Sequence, residues 1–154
     1  MRALVQRVAS ASVSVGDRPC GEIERGLLVY LGCEAGDGEV QALRLADRVS
    51  KLRIFADAAG ASNLDVAAVG GAILLVSQFT LAADLRKGNR PSFTSALAPG
   101  PARELVARFG ARLRERGHRV EEGEFGADMR VASVNDGPAT YLLHEAADAG
   151  GSPT

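Results

Sequence analysis

The sequence predicts an α+β fold, in which a mostly antiparallel, barrel-like β-sheet has two helices packed outside it. Three observations support this prediction. Strand-like apolar segments outnumber helical ones, the two segments with helical periodicity lie between groups of strands, and several connections are short enough for antiparallel pairing. With 154 residues, of which 46% are hydrophobic, the chain is long enough for one domain with its own core.

The first half of the chain predicts three strands and one helix. Residues 2–8 and 12–15 alternate between apolar and polar side chains, which is typical of strands. Residues 26–33 are continuously apolar and predict a strand covered on both faces. Apolar side chains at a spacing of three then predict an amphipathic helix over residues 38–53, with Asp37 as its N-cap.

The second half returns to strands around a second helix. A short strand at residues 53–55 and a polar loop at residues 57–63 precede a third apolar strand at residues 71–79. The second helix is predicted to start near Pro101, because proline suits a first turn, and to end at Gly117, because glycine suits a C-terminal cap. Further strands are predicted near residues 119–122, 129–134 and 140–143.

We expect a single domain over residues 1–144 and a flexible tail over residues 145–154, which are mostly small or polar. No secretory signal is visible, and no apolar run approaches the roughly 18 residues of a membrane-spanning helix. These features predict a cytoplasmic protein without a membrane partner. The net charge of −1, from 18 basic and 19 acidic residues, argues against a protein held to nucleic acid mainly by a basic face.

Few residues are suited to metal or redox chemistry. Cys20 and Cys33 are the only cysteines, and we expect them to be reduced and structural. His118 and His144 are the only histidines, and no Cys/His pair has the spacing of metal ligands. We therefore expect no metal site and no cofactor.

A polar segment, Ser-Gln-Phe-Thr at residues 77–80, ends the third apolar strand. One interpretation is a buried strand whose end happens to be polar. The other is the edge of a ligand-binding cleft, because burying such groups unpaired costs roughly 1–3 kcal/mol each. Backbone N–H groups there can stabilise an oxyanion. Thr80 has the hydroxyl of a nucleophile, but no base stands at local spacing, so a covalent role is disfavoured.

A second distinctive segment is Asn-Asp-Gly-Pro at residues 135–138. An Asp-Gly pair between two strands is typical of a hairpin turn. Pro138 belongs at a sheet edge or turn, and the cis form of a bond before proline costs only about 0.5–1 kcal/mol. The segment is interpreted as a rigid turn with exposed carbonyls, and the pattern leaves open whether it has a function.

Basic residues are mostly interpreted as solvated. Arg7 interrupts an apolar strand and is expected on a solvated face. Residues 86–90, Arg-Lys-Gly-Asn-Arg, form a basic loop that is either solvated or in contact with phosphates, since it follows the first polar segment closely. The second helix has an arginine-rich face that is interpreted as solvated: Arg108, Arg112, Arg116 and Arg119.

The two polar segments, together with several other stretches, resemble the D-aminoacyl-tRNA deacylase family over about residues 1–144. The matching stretches, in chain order, are RALVQRV, ASVSV, GLLVYLG, RIF, SQFTLAAD, RPSF, ADMRV and VNDGP. Neither polar segment is specific alone, but their order along the chain makes the resemblance specific.

The resemblance implies a homodimer that acts on the 3′ end of aminoacylated tRNA, with two active sites at the dimer interface. Gly137 and Pro138 correspond to a Gly-cisPro motif that reaches into the partner's pocket and excludes an L side chain. Arg7 corresponds to an arginine that steadies this motif, and Met129 lies in a segment used near the adenosine. The residues that correspond to the motif lining the pocket for the terminal adenosine and its ester are Ser77, Gln78, Phe79 and Thr80.

The resemblance also implies a mechanism without a protein base. The terminal 2′-hydroxyl of the RNA helps to activate water, while the protein positions the ester and stabilises the oxyanion. Because selectivity is by exclusion, glycyl-tRNA is expected to be cleaved as well. Two alternatives stay open: a related deacylase for a mischarged L-amino acid, with a trans Gly-Pro bond, and a non-catalytic module that binds a small ligand or an RNA end.

Overall fold

A computed structural model describes residues 1–147, and they form one main sheet, a small two-stranded sheet and two α-helices. The strands are β1 (Arg2–Val15), β2 (Arg18–Ile23), β3 (Gly26–Gly32), β4 (Phe55–Ala56), β5 (Ser62–Leu64), β6 (Ala72–Ser77), β7 (Val120–Glu122) and β8 (Met129–His144). The helices are α1 (Glu39–Ser50) and α2 (Pro99–Glu115), and a short 3₁₀ helix spans Phe79–Ala82.

Strand β1 is the organising strand of the main sheet. On one side it pairs antiparallel with β3 along its first half and with β2 along its second half. On its other side it pairs antiparallel with β8 over its whole length. Strands β6 and β7 continue the sheet in parallel, and β2 contacts both of them, so the mixed sheet nearly closes into a barrel. The predicted α+β barrel-like fold is confirmed, although its last two pairings are parallel.

Strand β3 separates two hydrophobic cores, as its continuous apolar sequence predicted. Leu27, Val29 and Leu31 pack under the helices, whereas Leu28 packs with β6 inside the curved sheet. All four side chains are at most 1% exposed, and each buried leucine stabilises the fold by about 1.5–3 kcal/mol. The two cores therefore fix the end of β3 and of its neighbour β6, where the candidate site lies.

Ion pairs join the two helices on the outside of the sheet. The Asp47 carboxylate of α1 accepts hydrogen bonds from Arg112 Nε at 2.8 Å and Arg116 Nη2 at 2.8 Å, both from the end of α2. These bonds hold the pKa of Asp47 well below its usual range. Both arginines are still partly exposed, as the interpretation of a solvated face requires, but they also bind a carboxylate of the neighbouring helix, which the sequence did not predict.

Three local predictions differ from the structure. Residues 2–8 and 12–15 form one strand, because β8 pairs with both segments without interruption at residue 11. Gly38, rather than Asp37, is the N-cap of α1. The Asp37 carboxylate instead binds the ammonium group of Met1 at 2.6 Å and is almost fully buried.

Helix α2 begins at Pro99, and Gly117 follows it with φ +87°, which confirms the predicted glycine cap. The predicted loop 57–63 contains the start of β5. Glu145, the first residue of the predicted tail, accepts a hydrogen bond from the Met1 ammonium at 2.8 Å, and residues 148–154 lie outside the described residues. In the described part of the chain, no helix combines the length and apolarity that crossing a membrane requires.

Candidate active site

The first polar segment lies where β6 leaves the sheet. The strand ends at Ser77 rather than at the predicted Phe79, because the chain turns there into the 3₁₀ helix. The Gln78 N–H still donates to the Leu31 carbonyl at 2.8 Å, which ties the turn to the end of β3. A Cβ on Gly32 would lie 2.8 Å from the Gln78 carbonyl oxygen, so only glycine permits this close approach.

A cavity of about 580 Å³ opens beside this turn, between the N-terminal end of α2 and the start of β8. Its size is in the range of small-molecule sites. Ser77, Gln78 and Phe79 line it together with Met129, so the structure brings these four predicted residues together. Most of the remaining lining is apolar and comes from Leu31, Val76, Phe93, Leu97, Val106, Phe125 and Val131.

Two aromatic rings stand beside each other in the wall of the cavity. The centroids of Phe79 and Phe93 are 5.0 Å apart and the rings are tilted by 58°. Both side chains are strongly exposed, at 59% and 39%. Exposed aromatic faces of this kind suit the stacking of a nucleic-acid base. Phe93 was missed as a site residue, although it belongs to the matching RPSF stretch.

No carboxylate, histidine, lysine or arginine from the described residues lines the cavity. The one ionisable lining group is the thiol of Cys33, whose pKa is raised to about 11, mainly by burial. Thr80 does not line the cavity, and its hydroxyl accepts a hydrogen bond from Gln78 Nε2. Asp84 is bound by Arg86, which holds the pKa of Asp84 at about 2 and makes it a weak base. Residues 1–147 therefore supply the site with no activated nucleophile and no general base.

The second polar segment forms a bulge within β8, and the predicted hairpin turn between two strands is wrong. On either side of the bulge, Gln6 pairs with Thr140 and Val8 pairs with Asn135. A single β1 residue, Arg7, thus faces residues 136–139 of β8. The Gly137–Pro138 peptide bond within the bulge is cis, which is the isomer that the family resemblance implies.

Arg7 and Asn135 hold the bulge in place. Arg7 donates from Nε to the Asp136 carbonyl at 2.9 Å and from Nη1 to the Ile54 carbonyl. The Asn135 side chain spans the bulge, since its Oδ1 accepts from the Ala139 N–H at 2.9 Å. Arg7 is thus not on a solvated face, because its side chain is only 18% exposed and both bonds hold backbone carbonyls.

The backbone geometry at position 137 strongly favours glycine. Its φ is +143°, a backbone conformation that residues with a side chain rarely adopt. A Cβ at this position would lie 2.8 Å from the Ala139 nitrogen and 2.9 Å from Arg7 Nη2. The glycine therefore permits the close contact between the bulge and the arginine that supports it.

The bulge and the cavity are separate within one chain. Neither Arg7 nor Gly137 nor Pro138 lines the cavity. In the described residues β8 pairs only with β1, so its other edge is free. Exposed apolar side chains, those of Val134 and Leu142, lie on either side of the bulge, at 58% and 61%. The bulge therefore projects from an apolar sheet edge toward the outside of the molecule.

A family model described as D-Tyr-tRNA(Tyr) deacylase matches residues 4–144. The chain belongs to this family. Proteins named D-aminoacyl-tRNA deacylase from Anaeromyxobacter dehalogenans and Lactobacillus delbrueckii subsp. bulgaricus are 56% and 50% identical to it over 143 residues. These alignments cover 93% of this chain and 96% and 99% of the two relatives. Enzymes of this name are hydrolases that act on an ester bond and proofread translation.

Two solved structures resemble this deacylase family member over most of its length. The c-Myc DNA Unwinding Element Binding Protein has a TM-score of 0.89 and 37% identity, with coverage of 95% of this chain and 99% of that protein. A structure described as a probable eukaryotic D-amino acid tRNA deacylase has a TM-score of 0.81 and 18% identity, with coverage of 92% and 97%. The second likeness shows the fold alone.

Proposed function

We propose that the protein hydrolyses the ester bond of D-aminoacyl-tRNA and releases the free D-amino acid and the tRNA. The cavity beside the first polar segment carries this proposal. Its volume fits a nucleoside with an attached aminoacyl group, its aromatic rings suit an adenine base, and Ser77 and Gln78 offer hydrogen bonds at its edge. Family membership supplies the reaction class.

The chemistry we propose depends on the substrate's own 2′-hydroxyl. Because the described lining offers no base, the hydroxyl beside the ester is the nearest group that can orient and activate water. Phe79 and Thr80 begin the 3₁₀ helix, where the first backbone N–H groups have no partner within the helix. They are suitably placed at the turn to donate hydrogen bonds to the oxyanion that forms during attack.

Selectivity against L-amino acids is proposed to come from a second copy of the chain. The Gly137–Pro138 bulge does not line its own cavity and lies on a sheet edge that is free among the described residues and carries exposed apolar side chains. A two-fold homodimer through this edge would bring each bulge to the partner's cavity and create two equivalent sites. Backbone carbonyls braced by Arg7 would then exclude an L side chain, whereas D-aminoacyl and glycyl esters would enter.

The test is hydrolysis of D-tyrosyl-, L-tyrosyl- and glycyl-tRNA by the purified protein, combined with the molar mass in solution. We expect cleavage of the D and glycyl esters, survival of the L ester and a dimeric mass. Equal rates on D and L esters would refute the proposed selectivity, and a fully active monomer would refute the shared site.

A function in nucleic-acid binding alone is the second candidate, because the relative with 37% identity is named for binding a DNA unwinding element. The same assay separates the two. A protein that binds tRNA but turns over none of the three esters would be a binding module. A mischarged L-aminoacyl-tRNA, added as a fourth substrate, would be cleaved by a deacylase of different specificity.

A further inference from the structure

A basic hairpin rises directly beside the cavity. It starts after the 3₁₀ helix and is closed by two backbone hydrogen bonds between Asp84 and Ser92, at 2.8 Å and 3.0 Å. Phe93, which lines the cavity and contacts Phe79, follows the closing pair immediately. At the tip, Gly88 has φ +120°, which allows the chain to reverse. We call residues 84–92 the basic hairpin.

The charges of the basic hairpin are only partly neutralised. Asp84 is held by Arg86 through Nε at 2.9 Å and Nη2 at 2.7 Å, so its carboxylate is occupied. Lys87 and Arg90 have no hydrogen-bond or ion-pair partner among the described residues. Most other arginines in the described chain bind a carboxylate, a carbonyl or an aromatic ring. Only four basic residues of the described part lack such a contact, namely Lys51, Lys87, Arg90 and Arg130.

The position of these two charges relates them to the cavity. Arg90 precedes Phe93 by three residues, so the chain keeps the two Cα atoms within about 11 Å of each other. Within the described part of the chain, the cavity has no lysine or arginine in its lining. The phosphates of an RNA strand whose last nucleoside lies in the cavity would find no positive charge in this lining, so any neutralising charge must come from residues beside the cavity.

We propose that Lys87 and Arg90 bind the phosphates of the nucleotides that precede the terminal adenosine of the tRNA substrate. This inference rests on the proposed function and extends it to the part of the substrate outside the cavity. Contacts of this type position a strand without reading its sequence, which suits an enzyme that accepts many tRNAs. They also explain how a protein with a net charge of −1 retains a polyanion, because the positive charges of Lys87 and Arg90 are concentrated beside the site where the RNA binds.

The test compares a substrate that has upstream phosphates with one that lacks them. The Lys87→Gln/Arg90→Gln variant should raise the KM for D-tyrosyl-tRNA about tenfold with kcat unchanged. It should also reduce the slope of log affinity against log salt by about 1.4, since each phosphate contact on a single strand contributes about 0.7. Its rate on D-tyrosyl-adenosine should equal that of the wild type. Lys51→Gln is the control, because it removes an unpaired positive charge at the end of α1 that is not next to a cavity-lining residue, and it should leave both substrates unaffected.

Binding separates failure of this inference from failure of the proposed function. Fluorescence anisotropy with a labelled RNA ending in CCA measures the phosphate contacts without any turnover. If the protein hydrolyses nothing but the hairpin variant alone loses RNA affinity, the hairpin contact stands and the deacylase proposal falls. The assignment of Lys87 and Arg90 would be overturned if the protein is active but the hairpin variant has the KM and salt slope of the wild type. It would also be overturned if the control variant changed KM and salt slope as much as the hairpin variant does.

Discussion

Substitution of Gly137 by alanine tests whether the bulge in β8 is as tightly determined as its geometry indicates. An alanine forced to φ +143° would cost about 1–3 kcal/mol in backbone strain. Its Cβ would also lie 2.8 Å from the Ala139 nitrogen, a backbone atom that cannot move independently. Overpacking of this kind typically costs about 1–3 kcal/mol. Because the bulge is exposed and can partly relax, we expect the free energy of unfolding to fall by about 2–4 kcal/mol in total.

Gly16→Ala is the matched control for this substitution. Gly16 also has a positive φ, +56°, but a Cβ there would have nothing within 4 Å. The free energy of unfolding of the control should therefore fall only by the cost of backbone strain, about 1 kcal/mol. Urea unfolding of both variants measures the difference. Equal losses of unfolding free energy in the two variants would show that a clash of the alanine side chain with Ala139 and Arg7 does not contribute to the destabilisation. In the deacylation assay, Gly137→Ala should also reduce discrimination between D and L esters, whereas the control should retain it.

Three further outcomes are expected. Thr80→Ala should retain most of the deacylase activity, whereas a 2′-deoxy terminal adenosine should react poorly; an acyl group trapped on Thr80 would contradict this. Asp47→Asn should lower the urea midpoint at neutral pH. Because two arginines depress the pKa of Asp47 below the usual value of about 3.9, the difference should shrink as the pH falls below that value through the folded-state pKa, and a pH-independent difference would refute the ion-pair explanation. Iodoacetamide should label partly exposed Cys20 and spare Cys33, whose buried thiol has a pKa of about 11, as mass spectrometry of the native protein would show.

The strands that flank the cavity could be predicted because their signals are local. The apolar runs at residues 26–33 and 71–79 predicted β3 and β6, although β6 ends at Ser77, two residues before the predicted end. The bulge could not be predicted in this way. An Asp-Gly pair favours a hairpin locally, but continuous pairing of β8 with β1 on both sides of the pair outweighs that preference.

Residues that meet only through the tertiary fold were also missed. Phe93 and Phe125 lie in segments without periodicity, so no pattern placed them in the cavity wall. The ion pair between Asp47 and Arg112 joins positions 65 residues apart. No local pattern shows such a pair, so the sequence indicated only a solvated arginine face. By contrast, the role of Arg7 was implied by the family resemblance and is consistent with its two bonds to backbone carbonyls.

The pairing of β1 with β8 determines when this protein can fold during its synthesis. The first strand of the chain is complete at Val15, but its partner begins only at Met129, so about 114 residues must be translated between them, which takes roughly 6–23 s at about 5–20 residues per second. Throughout that interval one edge of β1 has no partner and is open to other nascent chains. A ribosome that stalls before Met129 would therefore release a product with an exposed template for aggregation. Even partial folding would leave Arg7 without the Asp136 carbonyl, one of the two that it holds in the finished enzyme.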